Sequence, residues 1–325
     1  MRIRTSRYEL RRRDGATRRG ALLRVEFGER LVGYADCHPW HERGDLPLDE
    51  QLERLARALP TPITRNALAF AREDASARAA ARPLGAGLVV PESHHLVWDR
   101  PGLADMAREI ETAAHEGFRT FKIKSGPAGE IDARRLRSLA RELPGVRFRL
   151  DFESSLDGGR LHRFVDAIGE AAGSVDFIED PVPWDPRRGF PETWVRLALD
   201  RGVESEGRPD RPADVLVLKP AVNDTTAVVA RAASWDRPIV VTSYLDHPLG
   251  QVAAAWTAAR IARENPRSVE TCGLLSHRVY EPDAFSERLP ARGPAFPLFD
   301  EPGYGFGDLL GGLTWEPLAT LESRS

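Results

Sequence analysis

The stretch Phe121-Lys122-Ile123-Lys124-Ser125-Gly126 contains two of the three lysines in the chain, and the third is Lys219. Every other residue in the Lys+Arg total of 46 is arginine. Arginine supplies surface charge as well as lysine does, but it does not lose its proton near neutral pH. Lys122 and Lys124 alternate with apolar residues, so in a strand their side chains share one face. We therefore predict that the amines of Lys122 and Lys124 have a chemical role. The alternative is that both lysines lie by chance on a charged surface strand.

Strand and helix patterns alternate on both sides of this stretch. Strands are predicted at 88–90 leading into 93–97, then at 120–124, 146–152, 174–179, 194–200, 213–219, 237–243 and 268–273. Helices are predicted at 103–116, 132–142, 161–171 and 251–264, and turns at Gly158-Gly159 and 186–190. About eight such units predict an α/β fold, a modified TIM-type (β/α) barrel over residues 88–304.

Residues 1–87 have a different pattern and predict a smaller α+β capping domain. Strand-like alternation covers 3–36, with a hairpin of 21–28 and 30–35 turning near Gly28-Glu29. Helical spacing follows at 48–59 and 66–81. We expect the C-terminal segment 305–325 to pack against this domain.

Composition excludes several classes of protein. The chain has 325 residues, a 42% hydrophobic and 29% charged composition and a net charge of -3, as expected for a globular enzyme without a nucleic-acid partner. No stretch has the length of a membrane span, and the basic N-terminus lacks the apolar core of a signal peptide. Cys37 and Cys272 form neither a disulfide framework nor a metal-ligand spacing. We predict a cytoplasmic protein that acts on a small molecule, and the oligomeric state is left open.

Charged and polar residues stand at the ends of the predicted barrel strands. In a (β/α) barrel the active site lies at this end. An acid there can instead cap the following helix, but the charged residues of five strand ends would converge in space. Three neighbouring carboxylates repel one another unless a cation lies among them, and a hard divalent ion, Mg²⁺ with Mn²⁺ as an alternative, fits oxygen ligands. The strand-end residues are Lys122, Lys124, Asp151, Glu179, Asp200, Lys219 and Ser243.

Lysines beside such a metal site have an available chemistry. An unperturbed lysine has a pKa of about 10.4. A nearby metal ion, a second ammonium group and partial burial all favour the neutral amine, which is a base. Metal-binding acids with flanking lysines therefore predict abstraction of a proton next to a carboxylate, with the metal stabilising the enediolate.

Several motifs together resemble the enolase superfamily, in the branch with lysine bases that includes the muconate-lactonising enzymes and the o-succinylbenzoate synthases. The small size and the run 242–251 are most similar to the synthases. The segment Gly33-Tyr34-Ala35-Asp36 and the loop after it are similar to the family's substrate-capping loop. The matching motifs are Lys122-Ile123-Lys124, Arg149-Leu150-Asp151, Ile178-Glu179-Asp180-Pro181, Ala198-Leu199-Asp200 and Leu218-Lys219-Pro220.

The resemblance implies a Mg²⁺-dependent syn dehydration that gives o-succinylbenzoate in menaquinone biosynthesis. Asp151, Glu179 and Asp200 would bind the metal. Lys124 would remove the proton and then protonate the departing hydroxyl, Lys219 would stabilise the enediolate, and Lys122 would tune Lys124 and touch the substrate carboxylate. Substrate contacts are further expected from Arg149, Ser243, His247 and Trp40.

Some alternatives stay open at this point. Asp200 is followed by Arg201 where the family usually has glutamate, so Glu204 is the fallback metal ligand. Racemisation of N-acylamino acids or epimerisation of dipeptides shares the first step with dehydration. A Schiff-base aldolase with Lys219 as nucleophile and a non-catalytic barrel are more distant alternatives.

Overall fold

The N-terminal part of the chain is an antiparallel sheet packed on helices. The computed structural model describes residues 1–28, 30–97, 102–125 and 132–318. The elements are β1 (Arg2–Arg11), β2 (Thr17–Phe27), β3 (Leu31–Cys37), α1 (Leu48–Ala56) and α2 (Pro62–Ala79). Strands β1 and β2 pair antiparallel, as do β2 and β3, so the predicted hairpin is confirmed, with Glu29 of its turn outside the described residues.

Helix α2 packs closely on β3 and begins earlier than predicted. The Thr61 hydroxyl accepts a hydrogen bond from the Thr64 amide and Pro62 occupies the first turn, which are both favourable at a helix start. A Cβ atom at Gly33 would lie 1.8 Å from the carbonyl oxygen of Ala71, so only glycine permits this approach of strand and helix.

The second part of the chain is a curled parallel sheet surrounded by helices. The strands are β4 (His95–Val97), β5 (Thr120–Lys124), β6 (Arg147–Asp151), β7 (Val175–Glu179), β8 (Leu197–Leu199), β9 (Val215–Leu218) and β10 (Ile239–Val241). Their order in the sheet is β10-β9-β8-β7-β6-β5-β4, and every neighbouring pair is parallel. Apolar residues of strands and helices form a large core cluster, and a separate small cluster consists of strand residues alone: Phe177, Ala198, Val215, Val217 and Val240. The helices are α3 (Leu103–His115), α4 (Ala133–Glu142), α5 (Gly158–Ile168), α6 (Thr225–Trp235) and α7 (Pro248–Glu264).

The segment 268–273, predicted as a strand, links the two edges of this sheet through isolated bridges. Val269 bridges to Ile239 of β10, and Cys272 bridges to Ser93, just before β4. The predicted (β/α) barrel with a smaller cap is therefore confirmed, although its last strand is replaced by single bridges.

One local prediction was wrong and one helix was missed because helix caps were overlooked. Gly158-Gly159 is not a turn, since the Asp157 carboxylate accepts a hydrogen bond from the Arg160 amide and α5 begins at Gly158. Helix α6 was not predicted, yet Asp224 caps it in the same way. The predicted strands at 88–90 and 194–200 are reduced to coil and to the three residues of β8.

The C-terminal segment returns to the capping sheet. After the short helices α8 (Ala284–Glu287) and α9 (Gly307–Gly311), strand β11 (Glu316–Pro317) pairs antiparallel with β1. Residues 319–325 lie outside the described part of the chain, as does Gly126 of the lysine stretch. None of the described helices is long and apolar enough to span a lipid bilayer.

Candidate active site

The ends of neighbouring strands bring the predicted lysines and acids together. In the strand register Lys124 pairs with Asp151, and Asp151 pairs with Glu179. Asp200 directly follows β8 and Lys219 directly follows β9. All these residues therefore lie at the same end of the barrel, as predicted.

Lys122 joins two of the acids. Its Nζ lies 2.7 Å from both carboxylate oxygens of Glu179 and 2.9 Å from Oδ2 of Asp151. Burial alone would lower the pKa of Lys122, but the two carboxylates outweigh it and its pKa lies above the ordinary value. Lys122 is therefore a fixed positive charge in this arrangement.

Lys124 is the most exposed of the three lysines. Its Nζ lies 2.7 Å from Oδ2 of Asp151 and 2.8 Å from Oε1 of Glu153. Its side chain is 20% exposed, against 11% for Lys122 and for Lys219. Lys124 is thus the amine that a molecule in the barrel mouth reaches most easily.

Lys219 is paired with Asp200. Its Nζ donates a hydrogen bond to Oδ2 of Asp200. Burial lowers the pKa of Lys219, with the Asp200 carboxylate opposing that shift. For Asp200, burial would raise the pKa, but Lys219 and Arg43 outweigh it and hold the pKa at about 2.

We call Lys122, Lys124, Lys219, Asp151, Glu179 and Asp200 the mouth cluster. Its carboxylates act on one another, because burial and then Asp151 raise the pKa of Glu179. Among the described residues no three Asp, Glu, His or Cys side chains converge into a group that could hold a metal ion. The donor chemistry nevertheless fits Mg²⁺, since three buried carboxylates stand on consecutive strand ends and the Lys122 ammonium already places positive charge between two of them.

Asp180 was missed as a positioning residue, although it stands inside a recognised motif. It has a left-handed backbone conformation, with φ of +42°. Its carboxylate accepts hydrogen bonds from the amides of Asp200, at 3.0 Å, and of Arg201, at 2.9 Å. These bonds fix the chain end of β8 and so the position of Asp200.

Arg43 was also missed, and no strand-end pattern points to it. It belongs to a short 3₁₀ helix, His41–Arg43, in the loop after β3. Its guanidinium lies 3.3 Å from Asp200 and 3.5 Å from Glu153, and stacks on Trp40 at 4.9 Å. The capping domain therefore contributes a cation to the barrel mouth.

A cavity of about 70 Å³ opens above the mouth cluster. Two predicted substrate-contact residues, Trp40 and Ser243, line it. Trp40 packs edge-on against Tyr244, and the Ser243 hydroxyl donates to the Ser276 hydroxyl at 2.8 Å.

Arg149 and His247 do not line this cavity. The Arg149 guanidinium lies inside the barrel and donates to Asp176 at 2.8 Å and to the Thr271 carbonyl at 2.6 Å. The His247 ring caps α7 by accepting from the Leu249 amide at 3.1 Å. Both side chains are thus committed to structural partners.

Glu204, the fallback metal ligand, lies away from the cluster. Its carboxylate accepts from the Asn223 side chain at 2.7 Å and from the Asp224 amide at 2.8 Å. Asp200 is buried at the mouth, so the geometry favours Asp200 over Glu204.

Comparisons with known proteins agree with this architecture. A family model described as the N-terminal domain of O-succinylbenzoate synthase matches residues 3–77, and one described as Enolase C-terminal domain-like matches residues 105–200. The o-succinylbenzoate synthase of Bdellovibrio bacteriovorus is 33% identical over 310 residues, which cover 93% of this chain and 92% of that protein.

Solved structures show the same fold at low identity. The muconate lactonizing enzyme from Pseudomonas putida has a TM-score of 0.73 at 16% identity, covering 94% of this chain and 95% of that one. The L-Ala-D/L-Glu epimerase from Bacillus subtilis has a TM-score of 0.74 at 18% identity, covering 94% and 98%. The chain belongs to the enolase superfamily, and along nearly its whole length it is similar to an o-succinylbenzoate synthase.

Proposed function

We propose that this protein is a metal-dependent carbon–oxygen lyase that forms o-succinylbenzoate by eliminating water from its hydrated precursor. The observation that carries the proposal is the pairing of three lysines with three carboxylates at one barrel mouth, where the three lysines line one cavity. The identity to the Bdellovibrio synthase along nearly the whole chain supports this particular reaction.

The three carboxylates of the mouth cluster would hold Mg²⁺, or Mn²⁺ in its place. Bound there, the metal would supply positive charge that stabilises the negative charge developing on the substrate carboxylate. A metal ion at Asp151 would also weaken the hold of that carboxylate on the Lys124 ammonium, because the two cations compete for the same oxygens.

Lys124 is the proposed base. As a neutral amine, its Nζ would take the proton from the carbon next to the carboxylate and return it to the departing hydroxyl on the same face. One C–H and one C–O bond break, a C=C bond forms, and water leaves without any change of oxidation state. Lys124 suits this role because it is the most accessible lysine of the cluster.

Lys122 and Lys219 would act through their positive charge. Lys122 stays protonated between Asp151 and Glu179 and would orient the substrate carboxylate. Lys219, four strands away from Lys124, would stabilise the charge from the other side of the cavity.

A second candidate is racemisation or epimerisation of N-acylated amino acids or dipeptides. The observation that favours it is the placement of Lys124 and Lys219 on strands four apart around one cavity, which provides an amine on each side of a ligand. In that reaction both lysines would act as bases.

Incubation in deuterated water with Mg²⁺ separates the two candidates. With the hydrated precursor, we expect stoichiometric formation of o-succinylbenzoate, followed by its absorbance and by NMR. Deuterium exchange at the α-carbon of N-succinylamino acids or dipeptides with inversion, and no elimination from the precursor, would overturn the lyase proposal. We further propose that the substrate is a small carboxylate, that the reaction belongs to menaquinone biosynthesis and that the protein acts in the cytoplasm.

A further inference from the structure

The charged side chains that line the cavity are cationic. Five of its lining residues are cationic: Arg43, Lys122, Lys124, Lys219 and Arg278. In the part of the wall formed by the described residues there is no Asp or Glu side chain. Each of these cations pairs with a carboxylate outside the lining, so an anionic group of a ligand can compete best for the cation that is paired most weakly.

Arg43 is the least committed of these five cations. It shares Oδ2 of Asp200 with Lys219, which lies closer, and it shares Oε1 of Glu153 with Lys124, at 3.5 Å against 2.8 Å. Arg278, by contrast, lies 2.7 Å from Glu116. Both carboxylates near Arg43 therefore keep a closer lysine if the guanidinium turns to another anion.

The loop that carries Arg43 is held in place before any ligand arrives. The Asp45 carboxylate accepts hydrogen bonds from the Trp40 amide at 2.7 Å and from the Tyr244 hydroxyl at 2.9 Å. Tyr244 belongs to the barrel, so Asp45 fastens the capping loop to the barrel beside the cavity. The guanidinium is thus presented on a fixed support, which lowers the cost of ordering it around a ligand.

We propose that Arg43 binds a second carboxylate of the substrate, one that is not held by the mouth cluster, so that the capping loop selects dicarboxylates. This assignment rests on the proposed function for the placement of the first carboxylate at the mouth cluster. The planar guanidinium suits the task because it can donate two parallel hydrogen bonds to one carboxylate.

Arg18 offers a matched control for Arg43. Its guanidinium also stacks on Trp40, at 4.0 Å, and its carboxylate partner is Glu42 of the same loop. Arg18 does not line the cavity. Arg18→Met therefore removes an arginine stacked on the same ring without removing a cation from the wall.

The test measures the binding of two probes to the Mg²⁺-loaded protein by isothermal titration calorimetry. o-Succinylbenzoate has two carboxylates, and 2-butanoylbenzoate lacks the distal one. We expect the wild type to prefer the dicarboxylate by about 10- to 100-fold, the range of a charge-assisted hydrogen bond. Arg43→Met should reduce that preference to about twofold or less by losing affinity for the dicarboxylate alone, and Arg18→Met should keep it.

Three results would overturn the proposal: a wild type without the preference, an Arg43→Met variant that retains it, or an equal loss in Arg18→Met. Thermal melting identifies a variant that fails to fold. If Arg43→Met does so, Arg43→Lys decides, because lysine lacks the planar fork and should lose part of the preference, whereas an unchanged preference refutes the assignment. If the preference depends on Arg43 but no dehydration of the precursor occurs, the proposed reaction fails while the carboxylate site stands.

Discussion

Two buried groups of acids in this protein differ in how their charge is neutralised. In the mouth cluster each carboxylate has a lysine partner within hydrogen-bonding distance. The second group, which we call the acid pair, is Asp36 of β3 and Asp246 just before α7. No lysine or arginine among the described residues forms an ion pair with either member of the acid pair.

The acid pair joins the capping domain to the barrel. A Cβ atom at Gly250 would lie 2.7 Å from Oδ2 of Asp246 and 2.9 Å from Oδ2 of Asp36, so both carboxyl groups crowd the space that this glycine leaves open. Asp36 also accepts a hydrogen bond from the Tyr8 hydroxyl at 2.6 Å and one from the His247 amide at 3.0 Å.

The pKa directions follow from this difference. Burial would raise the pKa of Asp151, but Lys122 and Lys124 hold it well below its usual range. Burial, reinforced by Asp246, raises the pKa of Asp36 well above that range, and burial raises the pKa of Asp246 to about 7. Asp151 and Asp200, whose lysine partners outweigh burial, stay charged and can receive a metal ion, whereas the acid pair retains a proton. Glu179 lies between these cases, because burial and Asp151 raise its pKa despite its pairing with Lys122.

The largest expected effect concerns the base in the mouth cluster. Lys124→Arg should lower kcat by about 10²- to 10⁴-fold, because arginine keeps the charge but cannot accept the substrate proton. Lys122→Arg should lower kcat less, since a fixed cation can still serve there. Steady-state kinetics, with thermal melting to verify folding, measures both, and the opposite order would exchange the two roles.

Removing a lysine partner should make the mouth cluster behave like the acid pair. Lys122→Met leaves Glu179 buried without an ion-pair partner among the described residues, which should lower the free energy of unfolding by about 3–5 kcal/mol in a chelator. Added Mg²⁺ should recover part of the loss by binding the folded state. Urea unfolding measures both values.

Arg54→Met is the control for that variant, because Arg54 forms an exposed ion pair with Glu50 on α1 and should contribute at most about 1 kcal/mol. An equal loss in the two variants, or no recovery with Mg²⁺, would contradict the distinction drawn between the two acid groups.

A smaller, pH-dependent effect is expected at the acid pair. In the folded protein the pKa of Asp246 is raised to about 7. The stability that its proton contributes is therefore fully present at a pH below the ordinary pKa of aspartate and is lost as the pH rises to about 7. The side chain introduced by Asp246→Asn carries an N–H donor at every pH. The free energy of unfolding of this variant, relative to that of the wild type, should therefore rise by up to about 4 kcal/mol between pH 4 and pH 7.

Urea unfolding across this pH range measures that difference, with the exposed Asp166→Asn as the control for the same chemical change. The acid pair does not hold the proton if the difference in free energy of unfolding between Asp246→Asn and wild type is independent of pH, or if Asp166→Asn shows the same pH dependence.

Much of the mouth cluster was predictable because strand ends in a parallel barrel converge by geometry. The alternation of Lys122 and Lys124 and the acids at successive strand ends needed no knowledge of long-range packing. The alternation of side chains along a strand does not, however, fix how deep in the barrel each side chain lies. Arg149 has the same parity as Asp151 on β6, and so faces the same side, yet it lies lower in the barrel and donates to Asp176 and the Thr271 carbonyl.

The residues that were missed depend on contacts between distant segments. Arg43 belongs to the capping domain and contacts Asp200 of the barrel, and no motif near Arg43 in the sequence signals that contact. Asp180 positions the end of the following strand by accepting hydrogen bonds from the amides of Asp200 and Arg201. The sequence motif contains Asp180 but does not show these two contacts. The helix starts at Asp157 and Asp224 had a local capping signal and were predictable in principle.

Metal binding tests most directly the claim that the lysine-paired carboxylates form a divalent-cation site. In titrations of the purified protein with Mn²⁺ followed by electron paramagnetic resonance, and in competition with Mg²⁺, we expect one ion per chain. Asp200→Asn should weaken binding by more than the roughly 10- to 100-fold that the loss of an outer-sphere partner costs, and Glu204→Gln should leave it unchanged. A wild type that binds no ion, or an Asp200→Asn variant that binds as tightly as wild type, would contradict the account.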